Sequence, residues 1–147
     1  MDDVRLMVVD DSADLRDLLT LILDRPDLGW HVVGSAADGK QAVDALASTR
    51  PDVVLLDLSM PVMDGLEALP LIRRDAPHAV VVMLSGYPRD KFERTARAAG
   101  AHGYLEKKDL VSDLLPKVRE ILEARQIAEQ PSPQRQTAAK NGARAAG

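Results

Sequence analysis

Val53-Val54-Leu55-Leu56-Asp57-Leu58-Ser59-Met60-Pro61 opens with four branched apolar residues and then turns polar at a carboxylate. A run this short, apolar at every position, offers no face to water. It reads as a strand buried on both sides, the pattern of a parallel sheet covered by helices. Runs of the same character at Val4–Val9, His31–Ala36, Ala79–Leu84 and Gly103–Leu105, together with Asp52–Leu56, predict five strands.

Between the runs, apolar residues fall at helical spacing. Leu15, Leu18, Leu19 and Ile22 follow Ser12 as N-cap, and Ala42, Val43 and Leu46 mark a second helix. Leu66, Leu69 and Ile72 mark a third, Phe92, Ala96 and Ala99 a fourth, and Leu114, Val118, Ile121, Leu122 and Arg125 a fifth. Pro70, inside the third segment, removes one helical hydrogen bond and predicts a kink. The order βαβαβαβαβα with right-handed crossovers predicts an α/β fold, a doubly wound five-stranded parallel sheet.

With 147 residues, 46% of them hydrophobic, the chain suits one domain, expected over residues 1–127, with a disordered basic tail at 128–147 that has almost nothing to bury. Cys is absent, which excludes disulfides, thiolate zinc sites and thiol chemistry and suits a reducing cytoplasm. The net charge is −4, and the last 17 residues hold Arg135, Lys140 and Arg144 with no acid, so the first 130 carry −7. An acidic body whose aromatics are Trp30, Tyr87, Phe92 and Tyr104 argues against direct nucleic-acid binding. The amino terminus has no basic, apolar leader and no run approaches the ~20 apolar residues of a membrane span, so a cytoplasmic protein is expected.

In a parallel sheet the ligand crevice lies outside the carboxyl ends of the strands. The first strand is followed by Asp10-Asp11, the third by Asp57, the fourth by Ser85-Gly86, and the fifth runs on to Lys107. Singly these are ordinary helix caps and turns. Together, in a strand order 2-1-3-4-5, they gather three carboxylates, a hydroxyl and an ammonium, and each carboxylate pair ~4 Å apart costs about 4 kcal/mol at an effective dielectric of 20. Lys107 offsets one charge, and a hard divalent cation, Mg²⁺ rather than zinc, suits the rest. His31, His78 and His102 are dispersed and are not expected to be ligands.

Val8-Val9-Asp10-Asp11, Asp57-Leu58-Ser59-Met60-Pro61-Val62-Met63-Asp64-Gly65, Leu84-Ser85-Gly86 and Gly100-Ala101-His102-Gly103-Tyr104-Leu105-Glu106-Lys107 resemble the response-regulator receiver domains of bacterial two-component signalling. The resemblance spans about residues 3–125 and implies a flavodoxin-like (βα)5 fold. It implies Asp57 as phosphoacceptor, Asp10 and Asp11 as the metal-binding pair, Ser85 as switch hydroxyl, Tyr104 as switch aromatic and Lys107 as phosphate-binding lysine. Mg²⁺ would be held by Asp11, Asp57 and the Ser59 backbone carbonyl, with Asp10 through water. The implied donor is a histidine kinase or phosphotransfer protein. Tyr104 is expected to turn from exposed to buried on phosphorylation, with the readout face at helix 4, strand 5 and helix 5. One departure is Lys108, where many relatives carry proline, so a looser turn is expected there.

The resulting expectation is a stand-alone phosphoacceptor, not an enzyme, that signals to a downstream protein partner. The alternative is the receiver half of a DNA-binding transcriptional regulator. A hydrolase using the same acids is disfavoured, because Asp57-Leu58-Ser59 lacks the second Asp that aspartate-nucleophile phosphatases use as general acid.

Overall fold

Alternating side chains of each central strand face opposite sides, so a strand apolar throughout must be covered twice. The computed structural model, which describes residues 3–129, meets that need with five strands and five α-helices. The strands are β1 (Val4–Val9), β2 (Trp30–Ala36), β3 (Val53–Asp57), β4 (Val80–Ser85) and β5 (Gly103–Glu106). The helices are α1 (Ala13–Leu23), α2 (Gly39–Thr49), α3 (Gly65–Asp75), α4 (Arg89–Ala98) and α5 (Leu110–Glu129). All strand pairs are parallel, in the order β2-β1-β3-β4-β5. The expected doubly wound topology is therefore present.

Two cores divide along the strand alternation. Val54 and Leu56 of β3 join Ala42 and Leu46 of α2, Leu69 and Ile72 of α3 and Ala96 of α4 on one face. Val53 and Leu55 join Leu19 and Leu23 of α1 and Leu114 and Val118 of α5 on the other. Trp30 opens β2 opposite Val4, at the amino end of the sheet as expected.

Caps set where helices start. Ser12 accepts from the Leu15 N–H at 3.2 Å, Asp38 from Gln41 at 2.8 Å, and Asp64 exchanges hydrogen bonds with Glu67 in a capping box. Gly65 lets α3 begin against β3, since a Cβ there would strike the Asp57 carbonyl oxygen. Pro70 lies inside α3 without ending it, and a second interior proline, Pro116, lies in α5. Asp57 and Ser85 close β3 and β4, one residue past the apolar runs at Asp52–Leu56 and Ala79–Leu84. Helix α5 runs to Glu129, two residues into the tail expected at 128–147, and residues 130–147 lie outside the described residues.

Candidate functional site

The pairing of β1 with β3 sets Val9 opposite Leu56, which brings the next residues, Asp10 and Asp57, side by side. Both are buried, Asp57 at 1% exposure, whereas Asp11 is exposed. One carboxylate oxygen from each of the three lies within 4.8 Å of the others. Lys107, the first residue beyond β5, places its Nζ 3.0 Å from Asp10 Oδ2 and 3.0 Å from Asp57 Oδ1. The turn at Lys108 thus seats the lysine against both buried acids, while Lys108 itself points outward, 3.4 Å from Glu106.

Remaining partners orient the acids. Asp10 Oδ1 accepts from the Ser12 N–H at 2.9 Å, and the Arg16 guanidinium donates to the Asp10 carbonyl at 2.7 Å. Sequence reading assigned no role to Arg16, whose position one turn into α1 is the only signal it leaves. Asp57 Oδ1 accepts a long bond, 3.3 Å, from the Ser59 N–H. Asp57 Oδ2 is buried with no donor among the described residues. The Lys107 ammonium thus forms a close ion pair with Asp10 Oδ2 as well as with Asp57 Oδ1.

Electrostatics follow from this crowding. Burial pushes the Asp57 carboxyl up from 3.8 to about 7, with Lys107 opposing the rise and the Asp10 charge adding to it. Burial works to lower the Lys107 ammonium, but Asp10 and Asp57 together outweigh it and hold its pKa above the ordinary value. One ammonium leaves three carboxylates under-compensated. An all-oxygen cluster with a buried, donorless Asp57 Oδ2 fits a small hard dication such as Mg²⁺.

Ser85 is buried, and its Oγ accepts from the Tyr87 N–H at 3.0 Å. Nothing would meet a Cβ at Gly86 within 4 Å, so the crevice is open there. Ser59 is exposed at the mouth, where its carbonyl was expected to serve. Tyr104 differs from the outward ring expected of the unmodified chain: it is 1% exposed, in the core with Met83, Ala96 and Ala101, and its hydroxyl has no hydrogen-bond partner among the described residues. The ring is held inside by its packing in that core. At the opposite end of the sheet His102 Nδ1 accepts the Val81 N–H at 3.0 Å, and burial keeps its pKa low, which is a structural role.

The profile of the response regulator receiver domain matches residues 6–119. Among curated relatives, a protein-glutamate methylesterase/protein-glutamine glutaminase of Azospirillum brasilense is 44% identical over 108 residues, 72% of this chain and 27% of that protein. One from Paramagnetospirillum magneticum is 37% identical over 143 residues, 89% of this chain and 37% of that protein. Among solved structures, the response regulator domain of Thermotoga maritima CheB is 34% identical with a TM-score of 0.74, over 82% of this chain and 97% of that one. A CheX-CheY-BeF3-Mg+2 complex from Borrelia burgdorferi is 28% identical with a TM-score of 0.75, over 82% of this chain and 90% of that one.

The expectation of a protein that is not an enzyme is overturned here. These curated relatives are enzymes by name, and the chain spans from about a quarter to just over a third of their length. The physical reason is plain, since the core and acidic crevice of a receiver would carry no imprint of any further unit joined to it.

Proposed function

This chain belongs to the response regulator receiver domain family, and on that premise we propose that it accepts a phosphoryl group on Asp57 and passes the change to a protein partner. The observation that carries this reading is Asp57 itself, buried at the end of β3, 3.0 Å from Lys107, with its second oxygen free of donors beside Asp10 and Asp11.

Phosphoryl transfer concentrates charge on three equatorial oxygens, so positioning and fixed charges do most of the work. In the step proposed, an Asp57 carboxylate oxygen forms the new O–P bond as the donor's P–N bond breaks, and the electron pair of that bond leaves with the imidazole nitrogen. Lys107 keeps Asp57 aimed and supplies a compact positive charge to one oxygen. The Ser85 hydroxyl, released from the Tyr87 N–H, donates to another. Asp11, Asp57 and the Ser59 carbonyl, with Asp10 through water, would hold Mg²⁺, which when bound offsets the acids and polarises a phosphoryl oxygen. The donor is a histidine kinase or phosphotransfer protein. Gly86 leaves the crevice open to water, so the acyl phosphate is short-lived rather than stable for many hours.

Tyr104 and the face made by α4, β5 and α5 form the readout in this proposal. The curated relatives favour an output in which the receiver governs a unit of methylesterase/glutaminase type over one that binds DNA. Incubation with Mg²⁺ and a small acyl-phosphate donor, read by intact mass, tests the core of the reading. The wild type should gain one phosphoryl group and Asp57→Ala none; a wild type left unmodified beside a labelled control receiver sinks it.

A further inference from the structure

Helix α4 begins without a cap of its own. Pro88 fills the N-cap position and makes no side-chain hydrogen bond, so the first-turn N–H groups need acceptors from elsewhere. The Arg89 N–H donates to Glu106 Oε1 at 2.8 Å, across 17 residues of chain, at the last residue of β5. The same arginine reaches back, its Nη2 donating to the Tyr104 carbonyl at 3.3 Å while Nη1 stands 4.0 Å from Glu93 Oε1. Lys108 Nζ lies 3.4 Å from the other Glu106 oxygen. The first turn of α4 is thus clasped to the end of β5. The Arg89 N–H is also the largest influence holding the Glu106 carboxyl below its ordinary pKa.

Glu106 stands in register with Ser85 and immediately precedes Lys107. Glu106 and Lys107 share one planar peptide unit, so only the dihedrals on either side of it can take up a displacement of one relative to the other. No other residue separates the lysine that touches Asp57 from the carboxylate that caps α4.

We infer that the Glu106–Arg89 clasp couples Lys107 to helix α4, so that a change of charge at Asp57 alters the hydrogen bonding of the helix's first turn. The coupling rests on the phosphoacceptor reading above; the clasp itself does not. The cap bond is a discrete element, made or broken, which gives the coupling two states to shift between. Glu106 is in this sense a positioning residue that acts through α4 and touches no phosphoryl oxygen.

Amide hydrogen exchange on the full chain tests both halves, with and without Mg²⁺ and acetyl phosphate, for the wild type, Glu106→Gln and Glu106→Ala. In the unmodified protein the Arg89 amide of Glu106→Ala should exchange about fivefold faster than in the wild type, while Glu106→Gln, which keeps an oxygen acceptor, stays within about twofold. On modification, exchange in the first turn of α4 should change in the wild type and not in Glu106→Ala, although intact mass shows equal labelling of the two. Arg89→Pro removes the donor at a position that suits proline, and should abolish the α4 response as Glu106→Ala does. An Arg89 amide indifferent to Glu106→Ala overturns the clasp. A full α4 response in the labelled Glu106→Ala and Arg89→Pro variants overturns the coupling. A wild type that takes up no phosphoryl group removes the functional reading and the coupling with it, while the exchange of unmodified Arg89 still decides whether the clasp exists.

Discussion

Asp57 concentrates the chemistry of the site in one carboxyl whose folded environment disfavours its charge. Its pKa lies at about 7 against an ordinary 3.8, because burial and the Asp10 charge outweigh Lys107. The sign follows from linkage: the folded state binds the proton more tightly than the unfolded chain, so ionising Asp57 costs stability as pH rises from about 4 to 7. Asp57→Asn should therefore leave the metal-free protein unchanged near pH 4 and raise its melting temperature at pH 8. An increase of ~1–2 kcal/mol, roughly 3–8 °C, is expected by thermal melts. Equal melting temperatures at both pH values would contradict the strained-carboxylate picture. Adding Mg²⁺ at pH 8 should raise the melting temperature of the wild type and raise it much less in Asp11→Asn, since that substitution removes one of the three negative charges facing the ion without touching the core. By mass action, saturation at about 100 Kd corresponds to ~2.7 kcal/mol.

Helix starts govern how accurately the site is assembled. The capping box of Asp64 and Glu67 and the close approach at Gly65 seat the first turn of α3 on the carbonyl of Asp57. Gly65→Ala must push that turn away, so we expect a loss of stability larger than the ~1 kcal/mol of helix propensity that alanine brings, together with a drop in Asp57 labelling read by intact mass. Asp64→Ala removes only the cap and should cost ~1 kcal/mol by denaturant melts, with labelling retained. The elements were legible in the sequence because each carried a local signal: apolar runs for the strands, Ser12 for the start of α1, helical spacing for the rest. Their ends were less so. Asp57 and Ser85 belong to their strands because the ladder continues one residue past the apolar pattern, and Pro116 sits inside α5 where no local sign excluded it.

At the scale of the molecule, the doubly wound sheet sends its acidic crevice to one end and its only tryptophan to the other. Trp30 is buried at 3% exposure at the amino end of β2. Its fluorescence should stay unchanged on Mg²⁺ titration while the melting temperature rises, and a strong quench would place the ion or the tryptophan elsewhere. The sequence by itself determined the fold class and the roster of the acidic crevice, because strand alternation, helical period and the placing of polar residues after apolar runs are local and survive in a linear reading. Only the tertiary structure decided which Asp57 oxygen lacks a donor, that Tyr104 lies inside, and that Glu106 caps a helix 17 residues away. Those are properties of approach between distant segments, and a single chain of letters holds no distances.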